Sequence, residues 1–212
     1  MKYSTTSLNF AVIMSDFFKT IKAESQGLYK EKMSKFISFA VPVVTASEAK
    51  AVVRRLAGEY HDARHCCWAY MIGTRREEFL SSDNGEPSGT AGKPILGQIN
   101  SFGLTNLVIV VIRYFGGIKL GTSGLIAAYR EAARQALARA TVVECHEQAR
   151  LRFNFPYLAM NHIMKIVKSD EVSVVERCFD NDCVMTVESD ADKLPMLKDK
   201  ILKVPGTAIL EQ

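Results

Sequence analysis

Two glycine-rich loops hold most of the residues in this sequence that could do chemistry. The first loop spans residues 81–94, and the second loop spans residues 113–124. Glycine lets backbone N–H groups come close to a ligand, and a helix that begins after such a loop adds unpaired N–H donors and partial positive charge. Each loop leads into a segment with a helical pattern, so the pair predicts a site for an anion, above all a phosphate.

The polar content of the loops favours a binding site over simple turns. Glycine clusters also serve tight turns and close packing, and that interpretation stays open for each loop. We add His65 and Trp68, on a preceding strand, as further candidates. The candidate ligand-binding residues within the loops are Asp83, Gly85, Glu86, Ser88, Gly89, Thr90, Gly92, Lys93, Arg113, Tyr114, Gly116, Gly117, Lys119 and Gly121.

Enzymatic chemistry has weaker support. Residues 116–123 fit the nucleotide-binding pattern G-x-x-x-x-G-K-[ST] except that Thr122 stands in the place of the lysine, which argues against a nucleoside triphosphatase. Asp83 and Glu86 could hold a divalent metal or act as acid and base, although carboxylates three apart in a turn more often form caps and Asx-turns. Nothing near Cys67 would lower its thiol pKa. We therefore predict no catalytic residue, no metal site and no cofactor.

Basic and aromatic residues alternate around both loops. Basic groups can meet phosphates while rings stack on bases; the alternative, aromatic rings in the core and solvated charges, stays open. We predict that Lys93, Arg113 and Lys119 are exposed on one anion-binding surface, because adjacent βα units place their loops at one end of a sheet. The residues in this pattern are Arg64, Trp68, Tyr70, Arg75, Arg76, Lys93, Arg113, Tyr114, Phe115 and Lys119.

Composition describes a globular protein with a mild basic excess. The 212 residues are 48% hydrophobic and carry a net charge of +4. Residues 149–212 hold 9 Lys and Arg against 10 Asp and Glu, which leaves 18 and 13 for residues 1–148. The basic excess therefore lies on the part with the glycine loops, which is compatible with an RNA or phosphate partner and is also common among proteins that have none.

Cysteine usage and hydropathy predict a cytoplasmic location. The five cysteines are odd in number, include the neighbours Cys66 and Cys67, and form no Cys-x-x-Cys pair, so we expect reduced thiols. No apolar run approaches the roughly 18 residues of a membrane span. We expect residues 1–14 to be a disordered or non-native leader, with Met14 as the natural start.

The apolar pattern predicts two domains. For the first domain it gives strands at 17–21, 35–43, 65–72 and 107–112 and helices at 48–60, 94–101 and from about 122 to 140. Ser47 is the expected cap of the first helix, and Thr122 or Ser123 of the third. The strand at 107–112 is apolar throughout, as in a central buried strand.

The tail has its own pattern. Strands are predicted at 149–155, 171–179, 183–188 and 207–210, with helices at 157–168 and 193–202 and a turn at 180–182. The order β-α-β-β-α-β is the ferredoxin-like plan. We predict an α+β protein with domains at residues 15–146 and 147–212.

Strand and helix periodicity assigns faces. On the strand at 65–72, His65 and Cys67 share one face with Ala69, while Cys66, Trp68 and Tyr70 share the other. On the third helix, Arg134 is predicted to face solvent. The inward positions of that helix are Leu125, Ala128, Tyr129, Ala132, Ala136 and Leu137.

These residues resemble the YigZ/IMPACT family. The resemblance rests on Ser34-Lys35-Phe36, His65-Cys66-Cys67-Trp68-Ala69-Tyr70, residues 81–94 and residues 113–121. It departs from the family at Ser123, where a glycine is usual, and at Ala127 and Arg130, where bacterial members tend to have arginine and glycine.

The resemblance implies a fold and a partner. It implies a β-α sandwich like elongation factor G domain IV in the first domain, a tail like domain V of that factor, and an RNA or ribosome partner without DNA sequence specificity. Eukaryotic relatives are translation regulators that compete for the ribosome-associated activator of the amino-acid-starvation kinase, a role that needs an additional domain. We therefore expect a non-enzymatic translation-associated regulator. The alternatives are an enzyme on a phosphorylated small molecule with a fold like the GHMP kinases, and a protein-interaction module.

Overall fold

The structure, a computed structural model, describes residues 17–169, 172–179 and 183–210. The described residues form two compact units, Phe17–Cys145 and the part from His146 onward. The predicted leader at residues 1–14 and the predicted turn at residues 180–182 lie outside the described residues.

The first unit combines antiparallel strands with three helices of the described chain. Its main sheet has the strand order β2-β3-β6-β4-β5, with every neighbouring pair antiparallel, and β1 pairs with β7 in a separate small sheet. The elements are β1 (Phe17–Ile21), β2 (Ser25–Glu31), β3 (Ser34–Pro42), α1 (Ala46–Glu59), β4 (His65–Ile72), β5 (Glu78–Ser82), α2 (Gly92–Ser101), β6 (Leu107–Tyr114), α3 (Gly121–Arg139) and β7 (Val142–His146).

Helices cover both faces of the main sheet. One core cluster lies between the sheet and the helices α2 and α3, and the other lies on the face that α1 covers. Residues 107–112 of β6 are fully buried, as predicted for a central strand. Cys67 and Ala69 of β4 belong to the first cluster and Cys66 and Tyr70 to the second, so the predicted alternation is confirmed.

The packing of α3 follows its sequence period. All six predicted inward positions are buried, and Ala133 joins them. Ser38 of β3 donates to the Ala132 carbonyl, 2.6 Å away, which satisfies a hydroxyl buried under the helix. Burying a leucine such as Leu125 or Leu137 contributes about 1.5 to 3 kcal/mol, so the apolar stripe accounts for much of the attachment of α3.

The strand directions place both glycine loops at one end of the sheet. Both β5 and β6 run antiparallel to β4, which lies between them; they therefore run in the same direction. The loops that follow them emerge at the same end, where β3 and β4 begin. The two glycine loops therefore lie at the same end of the sheet, as expected. The reason is the order of the strands in an antiparallel sheet and not the presence of adjacent βα units.

Two helix caps differ from the prediction. The helix α1 is capped by Thr45, whose side chain accepts from the Glu48 amide, and not by Ser47. The helix α3 begins after Leu120 without a side-chain cap, and its predicted caps Thr122 and Ser123 lie inside the first turn. The strands β2, β5 and β7 were not predicted, because short polar or exposed strands lack a clear apolar period.

The second unit has the element order β-α-β-β-α-β. Its antiparallel sheet has the strand order β11-β8-β10-β9, and α4 and α5 pack on the core of that sheet. A short 3-10 turn at Tyr157–Ala159 precedes α4. The elements are β8 (Gln148–Phe155), α4 (Met160–Ser169), β9 (Ser173–Phe179), β10 (Cys183–Asp190), α5 (Leu194–Leu202) and β11 (Ala208–Leu210).

Candidate ligand-binding cleft

A cleft of about 660 Å³ lies between the two glycine loops in the first unit. Its walls come from the start of β4, both loops, the end of β6 and the first turn of α3. Among the predicted site residues, it brings together His65, Glu86, Arg113, Lys119 and Gly121. A volume of this size is typical of small-ligand sites.

The first loop is organised by a carboxylate of its own. Asp83 accepts hydrogen bonds from the backbone amides of Gly89, Ala91 and Gly92 at 2.8 to 2.9 Å. Burial alone would raise the pKa of Asp83, but these three donors and the nearby Lys93 outweigh it, and the pKa lies below its ordinary value. Because Gly92 is the first residue of α2, Asp83 occupies the position at which an external anion would meet this helix.

The remaining polar groups of the first loop are also satisfied internally. Thr90 is buried and donates to the Pro87 carbonyl at 2.7 Å. The Asn84 side chain donates to the Cys66 carbonyl at 3.0 Å. A Cβ atom at Gly92 would lie 2.8 Å from the Ser82 amide nitrogen, so this glycine allows a close backbone approach. The first loop therefore builds the fold, apart from Glu86 and Pro87, which face the cleft, and Ser88 and Lys93, which are exposed.

A buried ion pair joins the first loop to β6. Arg113 pairs with Glu86, and the two side chains are only 6% and 3% exposed. The same Glu86 oxygen accepts from the Tyr129 hydroxyl at 2.8 Å. The Arg113 guanidinium also lies between the rings of Phe36 and Phe115, 5.4 and 5.5 Å from their centroids.

The burial of Arg113 corrects the expectation that it is an exposed cation. Its charge is compensated by Glu86, so it contributes less to anion attraction than its position in the sequence suggested. Its Nε atom is buried and has no hydrogen-bond partner within the described residues. Arg113 thus forms part of the bottom of the cleft.

His65 lies beside this pair. Its Nδ1 is 3.1 Å from the Asn84 carbonyl oxygen, and its Nε2 is 3.8 Å from a Glu86 oxygen. Asn84 and Gly85 both have positive φ angles, 40° and 84°. This left-handed pair turns the Asn84 carbonyl toward the imidazole and holds the ring at the rim of the cleft.

Cys67 lies behind the cleft, and its thiol is unreactive. Burial raises the pKa of its thiol to about 12. The thiol contacts the Asp83 carbonyl and the Tyr129 hydroxyl at 2.9 and 3.3 Å. Burial also raises the pKa of the Tyr129 phenol. These groups fix the first loop to the core and supply no nucleophile at neutral pH.

The second loop differs from the first in that it has no carboxylate, within the described residues, that accepts from the amides at the start of its helix. Gly117 and Gly121 have φ angles of 87° and 72°, and a Cβ atom at either would meet no atom of the described residues within 4 Å. Gly116 instead packs closely on the Met33 backbone. Within residues 17–169, 172–179 and 183–210 no side chain caps α3, and the exposed Lys119 lies beside its first turn. Helix amides and an exposed cation together form an anion-attracting rim.

Two aromatic residues and a lysine among the predicted site residues lie away from the cleft. Trp68 and Tyr114 pack on the α1 side of the sheet, where Tyr114 donates to Asp62 at 2.7 Å. Lys93 is exposed, and it lines a neighbouring groove between α2 and α3 together with Arg130. The predicted surface of Lys93, Arg113 and Lys119 is thus divided between the cleft and this groove.

Sequence reasoning left several cleft residues out of the site. Arg64 was counted only as one basic residue among many. Tyr129 does not line the cleft but donates to Glu86; it was counted only as an inward position of α3, although a buried tyrosine hydroxyl needs a hydrogen-bond partner. Pro87 carries no local signal. Thr122 was considered only as a helix cap and in the place of the pattern lysine, and Leu125 only as an inward position. Within the described residues, no group of three or more His, Cys, Asp or Glu side chains could hold a metal ion.

Comparison with known proteins identifies the family. Residues 32–137, half of the chain, match the model of the Impact N-terminal domain. The chain belongs to the IMPACT family. The resemblance drawn from the sequence motifs is therefore confirmed.

Individual members of the IMPACT family agree with this assignment. The IMPACT family member YigZ of Escherichia coli (strain K12) is 43% identical over 112 residues, which are 52% of this chain and 55% of that protein. An IMPACT family member of Haemophilus influenzae is 33% identical over 150 residues, 70% of this chain and 73% of that protein. The matched part thus spans about half of the YigZ relative and about three quarters of the other.

A solved structure resembles this chain over most of its length. The crystal structure of a hypothetical protein is 28% identical, covers 92% of this chain and 97% of its own, and superposes with a TM-score of 0.72. The mixed α and β architecture therefore recurs in an experimental structure. Within the described residues, no helix has both the length and the apolar character to cross a bilayer.

Proposed function

We propose that this protein is a translation-associated regulator that binds RNA through the cleft between its two glycine loops. The partner, free RNA or RNA on the ribosome, is held by its phosphates. The family membership supports the translation context, and the chemistry of the cleft supports the RNA phosphate.

The unpaired positive groups at the cleft rim carry the proposal. Arg64 and Lys119 are exposed, line the cleft and have no ion-pair partner within the described residues. The uncapped start of α3 lies beside them. A phosphate in contact with these groups would release counterions and gain charge-assisted hydrogen bonds.

The second loop is the part of the cleft that holds the phosphate. The amino end of α2 already faces the Asp83 carboxylate, so a phosphate there would meet a negative charge. The amino end of α3 has no such internal partner within the part of the chain that the structure describes. This difference supports residues 117–122, and not residues 83–92, as the part that holds the ligand.

The arrangement of the strands supports a finer proposal about the fold. We infer that the first unit is a β-α sandwich like domain IV of elongation factor G and that residues 147–212 form a ferredoxin-like domain. The antiparallel order β11-β8-β10-β9 and the sequence β-α-β-β-α-β support the second part. If residues 147–212, produced alone, gave no dispersed NMR spectrum, this domain assignment would be withdrawn.

Ribosome association is the direct test of the function. The full chain should sediment with ribosomes or bind single-stranded RNA at low salt, about 50 mM, and should be released by about 300 mM salt, because phosphate contacts weaken steeply with ionic strength. An unrelated protein of similar net charge serves as the control. The absence of RNA and ribosome binding at both salt concentrations would overturn the proposal.

A further inference from the structure

Phe115 is an aromatic side chain kept at the surface of the cleft. It is 47% exposed and lines the cleft. Arg113, which the Glu86 carboxylate and the Phe36 ring fix in place, lies 5.5 Å from the centroid of the Phe115 ring. The ring is thus supported by a buried cation while nearly half of the residue remains open to solvent.

The lining of the cleft combines two kinds of groups. The cationic groups are Arg64, Lys119 and the first turn of α3. The apolar groups are Phe115, Pro87 and Leu125. A phosphate or a sugar phosphate would use only the cationic groups. A nucleotide carries both a phosphate and a planar base, and bases stack on aromatic side chains.

The groups at the bottom of the cleft restrict where the phosphate can lie. Glu86 uses one carboxylate oxygen for Arg113 and Tyr129. Its other oxygen has no hydrogen-bond partner within the described residues. N–H groups on the edge of a base can donate to this oxygen, whereas a phosphate oxygen is itself an acceptor and cannot. The phosphate is therefore directed to the rim at Lys119.

We propose that the cleft holds one nucleotide unit, with its base stacked on Phe115 and its phosphate at Lys119 and the first amides of α3. The proposal rests on the function proposed above, because it names the part of the RNA that this site recognises. The unit is either a nucleotide of an RNA strand or a free nucleoside monophosphate, which share this chemistry. The cleft volume of about 660 Å³ is large enough for one such unit.

The test compares ligands that carry or lack a base. Isothermal titration of the full chain at one fixed low salt concentration uses AMP, ribose 5-phosphate and an eight-nucleotide oligo(A) RNA. Stacking on an aromatic side chain predicts that AMP binds about 5- to 150-fold more tightly than ribose 5-phosphate. The variant Phe115→Leu should lose that factor for AMP and for oligo(A) and should bind ribose 5-phosphate as the parent does.

Matched variants separate stacking from a change in the fold. Phe79→Leu is the control, because Phe79 is also exposed, at 58%, but lies on β5 and does not line the cleft; its affinities should equal those of the parent. Phe115→Tyr should retain AMP binding. The fluorescence of Phe115→Trp should be quenched by AMP and not by ribose 5-phosphate, after subtraction of the signal of Trp68, the single native tryptophan.

The outcomes distinguish this inference from the proposed function. If oligo(A) binds and Phe115→Leu changes nothing, the base-stacking inference is wrong and the RNA function stands. If Phe115→Leu weakens ribose 5-phosphate as much as AMP, stacking is also rejected. If AMP binds through Phe115 but oligo(A) does not bind, the site takes a free nucleotide and the RNA function is rejected. If none of the three probes binds, both proposals fail.

Discussion

The two glycine loops look alike in sequence and differ in what they do with their backbone donors. In the first loop, the Asp83 carboxylate accepts from Gly89, Ala91 and Gly92, so the amino end of α2 is closed. In the second loop, no side chain from the described part of the chain caps α3, and the first turn of α3 lines the cleft. A glycine-rich loop before a helix is therefore an anion site only when the loop does not supply the anion itself.

Removal of the buried Arg113–Glu86 pair is expected to have the largest effect on the free energy of unfolding. Replacing Arg113 with alanine leaves Glu86 buried without its cation, and such a loss costs about 3 to 5 kcal/mol. We expect a clear decrease in the urea midpoint of unfolding. This replaces the sequence-based expectation that Arg113 is exposed and that its removal hardly affects stability.

Arg134 is the control for this change. Its side chain is 50% exposed and pairs with Glu131 on the surface of α3, so Arg134→Ala should change the free energy of unfolding by less than about 0.5 kcal/mol. An Arg113→Ala variant as stable as Arg134→Ala would show that the pair does not hold the loops together.

A substitution in each loop tests the comparison itself. Asp83→Ala removes the acceptor of three amides and the cap of α2 and should destabilise the first unit by about 2 to 3 kcal/mol. Thr122→Ala, in the uncapped first turn of α3, should change the free energy of unfolding by less than about 0.5 kcal/mol. Denaturant unfolding of both variants measures the difference. Equal losses of unfolding free energy in the two variants would mean that the side chains of the second loop cap their helix as strongly as Asp83 caps α2.

Acid unfolding also tests the capping role of Asp83, and the expected change in stability is smaller. The folded-state pKa of Asp83 lies below its ordinary value of 3.8. Its stabilising contribution is therefore present above about pH 4 and is lost as the pH falls through the folded-state pKa. In Asp83→Asn, this part of the acid dependence should be absent, so the stability difference between parent and variant should shrink between pH 5 and pH 2. A constant difference across that range would contradict the capping role.

Sequence periodicity predicted the elements that present the site. The inward face of α3, the buried strand β6 and the two faces of β4 follow from repeats of 3.6 and 2 residues. These patterns are local, and apolar burial enforces them. They correctly placed His65 and Cys67 on the cleft side of the sheet.

The partners of the charged loop residues could not be predicted in the same way. Glu86 and Arg113 are 27 positions apart, and each was a separate candidate for an external ligand. Only the folded sheet, in which β5 and β6 run in the same direction on either side of β4, brings them together. Two opposite charges that meet in the fold satisfy each other, and sequence spacing carries no sign of this.

The salt dependence of RNA binding in a cleft variant tests the central claim most directly. The measurement is the affinity of oligo(A) RNA for the parent and for Arg64→Ala/Lys119→Ala at several salt concentrations, with Arg134→Ala as the control. The account predicts weaker binding by the double variant and a slope of log affinity against log salt that is smaller by about 0.7 for each lost phosphate contact. Arg134→Ala should behave as the parent. If the double variant binds with unchanged affinity and slope, RNA phosphates are not held at this cleft, and the open second loop serves only the fold.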